Sequence, residues 1–139
     1  MKKRLIRNGI WLMGAVDWNR RLFDSLIPLP EGTSYNSYLV QGSEKTAIID
    51  TADPALGDVL LAQLEDVKKI DYVVSLHTEQ DHSGMIPALL EKYPGARVVC
   101  STRAKELLQD HLHIDGAVID AKDDGETLSL GDKTLRFIH

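Results

Sequence analysis

The 139-residue chain is 43% hydrophobic and 27% charged, with a formal net charge of −5. This is the composition of one ordinary globular domain; it excludes a disordered chain, and the acidic balance excludes a general nucleic-acid binder. The Lys2-Lys3-Arg4 cluster precedes no apolar segment of signal-peptide or membrane-spanning length, and the lone Cys100 excludes an internal disulfide or a thiolate metal cage, so the expectation is a cytoplasmic protein with no membrane span.

In chain order, residues 4–16 read as two short apolar strands broken by glycine, ending at Asp17-Trp18-Asn19. Trp11 and Trp18 are expected to pack in a core or an interface, as large aromatics usually do. Pro28, Pro30 and Gly32 mark a surface loop between Arg20 and Gly32 that would overhang the end of a sheet. Tyr35 to Gln41 alternates polar and apolar, Gly42-Ser43-Glu44 turns the chain, and Lys45 to Asp50 returns as a second, central strand of an antiparallel hairpin. Asp53-Pro54 is a helix start, a carboxylate cap followed by proline, and Leu56, Leu60, Leu64 and Val67 form the apolar stripe behind it. A strand over residues 70–76 follows, implying a right-handed crossover.

A helix is expected from Ser83 or Gly84 to Pro94-Gly95, then a strand at Arg97 to Ser101 and a helix capped by Thr102 and running to Leu112. Cys100 shares a strand face with Val98 and has no basic neighbour that would activate it, which predicts a buried structural thiol. His111 and His113 stand at a helix C-terminus, where imidazole complements the dipole, so a solvated role is expected for both. A strand at Ala117 to Ile119 and a hairpin over Leu128 to Ile138, turning at Gly131-Asp132, complete the chain. No repeat or linker divides it, so residues 1–139 read as one domain or part of one.

The chemistry concentrates between the strand at 70–76 and the helix after it, in His77-Thr78-Glu79-Gln80-Asp81-His82-Ser83-Gly84. Two imidazoles and two carboxylates within six residues make a mixed nitrogen and oxygen donor set, suited to iron, manganese or zinc. Four ligands from one segment crowd a single ion, whereas alternating side chains on an extended loop divide between two. Asp50, at the end of the central strand, is either a solvated turn residue or a carboxylate that orients a metal-binding imidazole.

The pattern His77-x-Glu79-x-Asp81-His82 resembles the metal signature of the metallo-β-lactamase fold, whose common form has a second His where this chain has Glu79. Glu at that position is similar to the flavodiiron proteins, and residues 11–19, 32–40 and 46–51 resemble the amino-terminal pattern of that family in the same order. The resemblance implies an α+β protein with an αββα sandwich, of which this chain is the amino-terminal part. It implies two iron ions, with His77 and Glu79 serving one and Asp81 and His82 the other, and Asp50 as the hydrogen-bond partner of a ligand His. It further implies reduction of dioxygen to water or of nitric oxide to nitrous oxide. Electrons would come through FMN, held by a flavodoxin-like domain absent from this chain, from a rubredoxin-like or flavoprotein reductase donor, in a homo-oligomer whose flavin comes from a partner subunit. Many members carry Phe-His where this chain has Phe23-Asp24, so this loop offers no imidazole. The family's next His ligand, its bridging Asp and a further His lie beyond residue 139, and His139, on an alternating strand beside Phe137 and Ile138, is left off the ligand set. A dizinc hydrolase of the same fold, or a non-catalytic fragment or remnant, remains an alternative.

Overall fold

The computed structural model describes residues 2–139. Alternation of apolar residues builds one mixed sheet from strands β1 (Arg4–Arg7), β2 (Ile10–Asp17), β5 (Thr33–Gln41), β6 (Thr46–Ile49), β7 (Tyr72–Val74), β8 (Arg97–Ser101) and β9 (Ile119–Lys122), in the order β1-β2-β5-β6-β7-β8-β9. The first three pairings are antiparallel and the last three parallel. The β5–β6 hairpin expected from residues 35–50 therefore forms, and β6 stands in the middle of the sheet, where the antiparallel and parallel halves meet. A two-stranded ribbon of β3 (Leu22–Phe23) and β4 (Ile27–Pro28) interrupts the Arg20–Gly32 loop.

One sheet face carries the helices α1 (Gly57–Ala62), α3 (Ile86–Lys92) and α4 (Thr102–Leu112). Leu60, Ile86, Leu89 and Leu108 from these helices pack with Met13, Leu39, Ile48, Val73 and Val98 from the strands in one buried core. At about 25 cal/mol per Å² of apolar surface removed from water, this interface is the main source of stability. Leu64 and Val67, predicted on the helical stripe, are buried in the same core, although α1 itself ends at Ala62 and the chain continues in turns. The opposite face is covered in part by the hairpin β10 (Thr127–Ser129) and β11 (Thr134–Arg136), whose Leu130 joins Val40 and Ala47 in a smaller cluster. The arrangement is the α+β class expected, a helical layer on a mixed sheet with a hairpin starting the layer beyond.

The structure corrects several expectations. Trp11 packs at the core margin and donates from Nε1 to Gln41 Oε1 at 3.1 Å, but Trp18, just past the end of β2, is 67% exposed and so lies outside the core of this chain. The last sheet strand begins at Ile119, and Gly116–Val118 is instead a 3-10 turn capped by Asp115. The helix expected from Ser83 or Gly84 is two helices, α3 and a single turn α2 (Gln80–Ser83) that lies inside the His-rich segment. Ser101 rather than Thr102 caps α4, accepting from Ala104 N at 3.2 Å. Cys100 is buried as expected, and burial raises its thiol pKa to about 11, against a small pull from Lys105. Among the described residues no helix is long and apolar enough to cross a membrane.

Candidate metal centre

The site is built where β6 and β7 end side by side. Asp50 follows β6 in left-handed backbone geometry, φ 54°, an uncommon conformation that Asp tolerates better than most residues and that turns its carboxylate back toward β7. Its backbone is held by Val74 O, which accepts from Asp50 N at 2.8 Å, and by Ser37 Oγ, which donates to Asp50 O at 2.8 Å. The carboxylate then bridges two parts of the next loop, accepting from Leu76 N at 2.7 Å and meeting His82 Nδ1 at 2.9 Å. At 5% exposure Asp50 is not a solvated turn residue.

Three hydroxyls pin the segment that follows. Ser75 Oγ donates to His77 O at 2.8 Å, Thr51 Oγ1 donates to His82 O at 2.7 Å, and Ser83 Oγ donates to Thr78 O and Glu79 O at 2.9 and 3.0 Å. Glu79 is the extended N-cap of α2, whereas Asp81 and His82 are consecutive helical residues. This replaces the alternating extended loop expected from the spacing. The segment still divides into two pairs: His77 Nε2 lies 3.2 Å from Glu79 Oε1, and His82 Nε2 lies 3.6 Å from Asp81 Oδ2. The two imidazoles meet edge to face with ring centres 5.3 Å apart.

Burial pushes the Asp50 carboxyl above its usual range, while the Leu76 N–H and the His82 ring pull it back. A carboxylate so placed is a strong acceptor for a proton on Nδ1, the tautomer that leaves the Nε2 lone pair of His82 free to bind a metal. Two donors at typical metal distances of about 2.1 Å and at right angles to one another lie about 3 Å apart, so each pair is spaced for one ion. Among the described residues no three His, Cys, Asp or Glu side chains converge on one point; the segment presents its donors as two separate pairs.

Beside the pairs lies a cleft of about 330 Å³ lined by Arg20, Phe23, Asp24, Asp53, Glu79, Asp81 and His111. The loop around Phe23-Asp24 thus overhangs the segment, with Asp24 at φ 47° in the ribbon turn. Asp53, read from the sequence only as a helix cap, accepts from Ala55 N at 2.9 Å and faces Arg20 Nη1 at 3.4 Å. His111 is exposed as expected, but α4 carries it to the cleft rim, which the sequence did not signal; His113 is the left-handed C-cap of α4. His139 lines a different, apolar cleft with Leu76 and Leu135.

Residues 33–139, most of the chain, match the family described as ODP family beta lactamase. The chain belongs to that family. Among curated relatives it is 39% identical over 140 residues to the rubredoxin-oxygen oxidoreductase of Megalodesulfovibrio gigas, covering 99% of this chain and 35% of that protein. It is 42% identical over 138 residues to the nitric oxide reductase of Moorella thermoacetica, covering 96% of this chain and 34% of that protein. The chain spans about a third of the length of the curated relatives it matches. Among solved structures, the rubredoxin oxygen:oxidoreductase from Desulfovibrio gigas superposes with a TM-score of 0.89 at 37% identity over 96% of this chain and 34% of that one. The flavodiiron protein from Giardia intestinalis superposes with a TM-score of 0.87 at 29% identity over 98% of this chain and 34% of that one. The fold is therefore that of the metallo-β-lactamase-like domain of flavodiiron proteins, and the flavodiiron resemblance read from Glu79 holds.

Proposed function

We propose that this chain carries the amino-terminal share of a diiron site in a flavodiiron-type oxidoreductase, with His77 and Glu79 serving one iron and Asp81 and His82 the other. The observation that carries this reading is the division of the segment into two imidazole–carboxylate pairs, His77 with Glu79 at 3.2 Å and His82 with Asp81 at 3.6 Å. A Glu in place of a second imidazole makes the first pair harder, which favours iron over zinc. Asp50 sets the tautomer and orientation of His82. When bound, two irons supply open positions for a diatomic gas and a route for electrons from a flavin.

In this reading the complete protein reduces dioxygen to water, nitric oxide to nitrous oxide, or both, as the names of the two curated relatives suggest. FMN comes from a flavodoxin-like domain outside these residues, and a rubredoxin-like or flavoprotein reductase delivers the electrons. Residues 1–139 form part of one metallo-β-lactamase-like domain, and the assembly is a cytoplasmic homo-oligomer. The single cysteine supports the compartment. The test is competitive loading of the metal-free protein with ferrous iron and zinc under anaerobic conditions. Preferential iron uptake is expected, whereas preferential zinc uptake with turnover of an ester or lactam would turn the reading into a dizinc hydrolase.

A further inference from the structure

Two consecutive residues hold His82 at two points. Its ring meets the Asp50 carboxylate at Nδ1, and its carbonyl oxygen accepts from Thr51 N at 2.8 Å and from Thr51 Oγ1 at 2.7 Å. Adjacent side chains on an extended strand point to opposite faces, so Asp50 and Thr51 would ordinarily diverge. The left-handed backbone at Asp50, φ 54°, breaks that alternation where β6 ends and lets both residues reach the same histidine.

Thr51 is 1% exposed, and its hydroxyl also accepts from Met85 N at 3.3 Å. The hydroxyl therefore sits across the junction between α2 and α3. A single turn such as α2 is too short to be stable by itself, so hydrogen bonds from outside it have to set where His82 stands. Packing does not fix the ring, because the His82 side chain is 38% exposed. Nor is the hydroxyl needed to satisfy the His82 carbonyl, which keeps the Thr51 amide as a donor without it. One hydrogen bond leaves the turn free to pivot about that contact; the second donor on the same oxygen, itself tied to Met85 N, removes the pivot.

We propose that Thr51 is a positioning residue for the metal site, its hydroxyl fixing the His82 backbone so that the ring held by Asp50 presents Nε2 in one direction beside Asp81. This rests on the reading of His82 as a ligand. Asp50 sets the tautomer, Thr51 sets the place from which the ring projects, and together they clamp one ligand to the end of β6. Binding constellations have to be held to within about 0.5 Å by groups that are themselves locked, and a buried hydroxyl at a central strand end meets that need.

The test compares the metal-free chain with its Thr51→Val and Thr51→Ser variants by anaerobic calorimetric titration of ferrous iron and by the His82 Nδ1–H resonance, with thermal unfolding to show that each is folded. Thr51→Val keeps the side-chain shape and removes the hydroxyl, whereas Thr51→Ser keeps the hydroxyl. Thr51→Val is expected to weaken iron binding about tenfold and to broaden the His82 resonance, and Thr51→Ser to return both to wild type. A merely structural hydroxyl would lower the Thr51→Val midpoint but leave the resonance and the iron affinity of the folded protein unchanged, and that result would overturn the proposal. So would a Thr51→Val chain that does not fold, or a Thr51→Ser variant that binds as weakly as Thr51→Val. Wild-type protein that takes up no iron would overturn the metal-site reading and the proposal together, whereas wild-type uptake matched by Thr51→Val would sink the proposal alone.

Discussion

Asp50 separates two roles that one carboxylate performs, accepting from Leu76 N and orienting His82. Asp50→Asn can keep an acceptor for Leu76 but presents an N–H to His82 Nδ1, favouring the tautomer with its proton on Nε2. The expected result is a ten- to hundredfold loss of metal affinity, the usual cost of losing such a partner, with little change in unfolding midpoint, read by iron titration and thermal unfolding. An affinity equal to wild type would reduce Asp50 to a structural link between β6 and the loop. In the proposed site Glu79 is the residue that bears on metal choice. Glu79→His replaces a hard oxygen by imidazole and is expected to shift competitive loading toward zinc; continued iron preference would show that the second pair, not the first, decides.

At the scale of elements, the α1 end and β2 are joined by a clasp that sequence patterning does not reveal. Gln63 donates from Nε2 to Gly14 O and accepts from Gly14 N at Oε1, both at 2.9 Å and buried. Gly14 has φ 102°, and a Cβ there would stand 2.0 Å from the Tyr35 carbonyl oxygen, so only glycine fits where β2 passes β5. Gln63→Leu leaves a buried donor and a buried acceptor on β2 unpaired and is expected to cost about 2–4 kcal/mol, read by urea unfolding.

The starts of β6 and β7 are tied by Asp71, which accepts from Thr46 N at 2.9 Å and pairs with Lys69 and Lys45 at 2.5 and 3.3 Å. Burial alone would raise its pKa, but the Lys69, Thr46 and Lys45 donors outweigh burial and hold the carboxyl below its usual range. A depressed folded pKa means that Asp71 stabilises the fold above its unfolded value of about 3.9 and that this contribution is lost as pH falls through the lower folded value. Wild type is therefore expected to lose stability more steeply than Asp71→Asn from about pH 4 downward, in acid titrations monitored by circular dichroism. Parallel curves would place the acid sensitivity elsewhere.

For the whole molecule, the two faces of the sheet are unequal. The helical face buries most of its apolar residues, while the other keeps a cleft of about 860 Å³ lined by Ile49, Val74, Leu76, Leu135, Phe137 and Ile138. Leu76 and Ile138 are 67% and 80% exposed, and β1 is an open sheet edge. Apolar surface of this extent beside a free edge favours association. Sedimentation of the 139-residue chain is expected to show concentration-dependent oligomers, diminished by Ile138→Lys; a monomer at all concentrations would contradict this. With two donors from this segment per ion, iron is expected to be held weakly and removed by dialysis, which metal analysis before and after dialysis checks.

The local chemistry was legible in the sequence because spacing alone carries it. His77-x-Glu79-x-Asp81-His82 after an apolar strand singled out the side chains that the fold brings together as two imidazole–carboxylate pairs, and the two periodicities named the central strand β6, the apolar face of the helical layer and the buried Cys100. Spacing did not show that α2 begins inside the motif, because the Thr51 hydroxyl and amide that hold the His82 carbonyl act only once β6 and β7 lie side by side. Nor could it place Trp18 outside the core, or His111 and Asp53 at the cleft. Residues 24, 53, 81 and 111 lie far apart along the chain, and only the packing of the β3–β4 ribbon, α4 and the metal segment at one end of the sheet decides which of them meet.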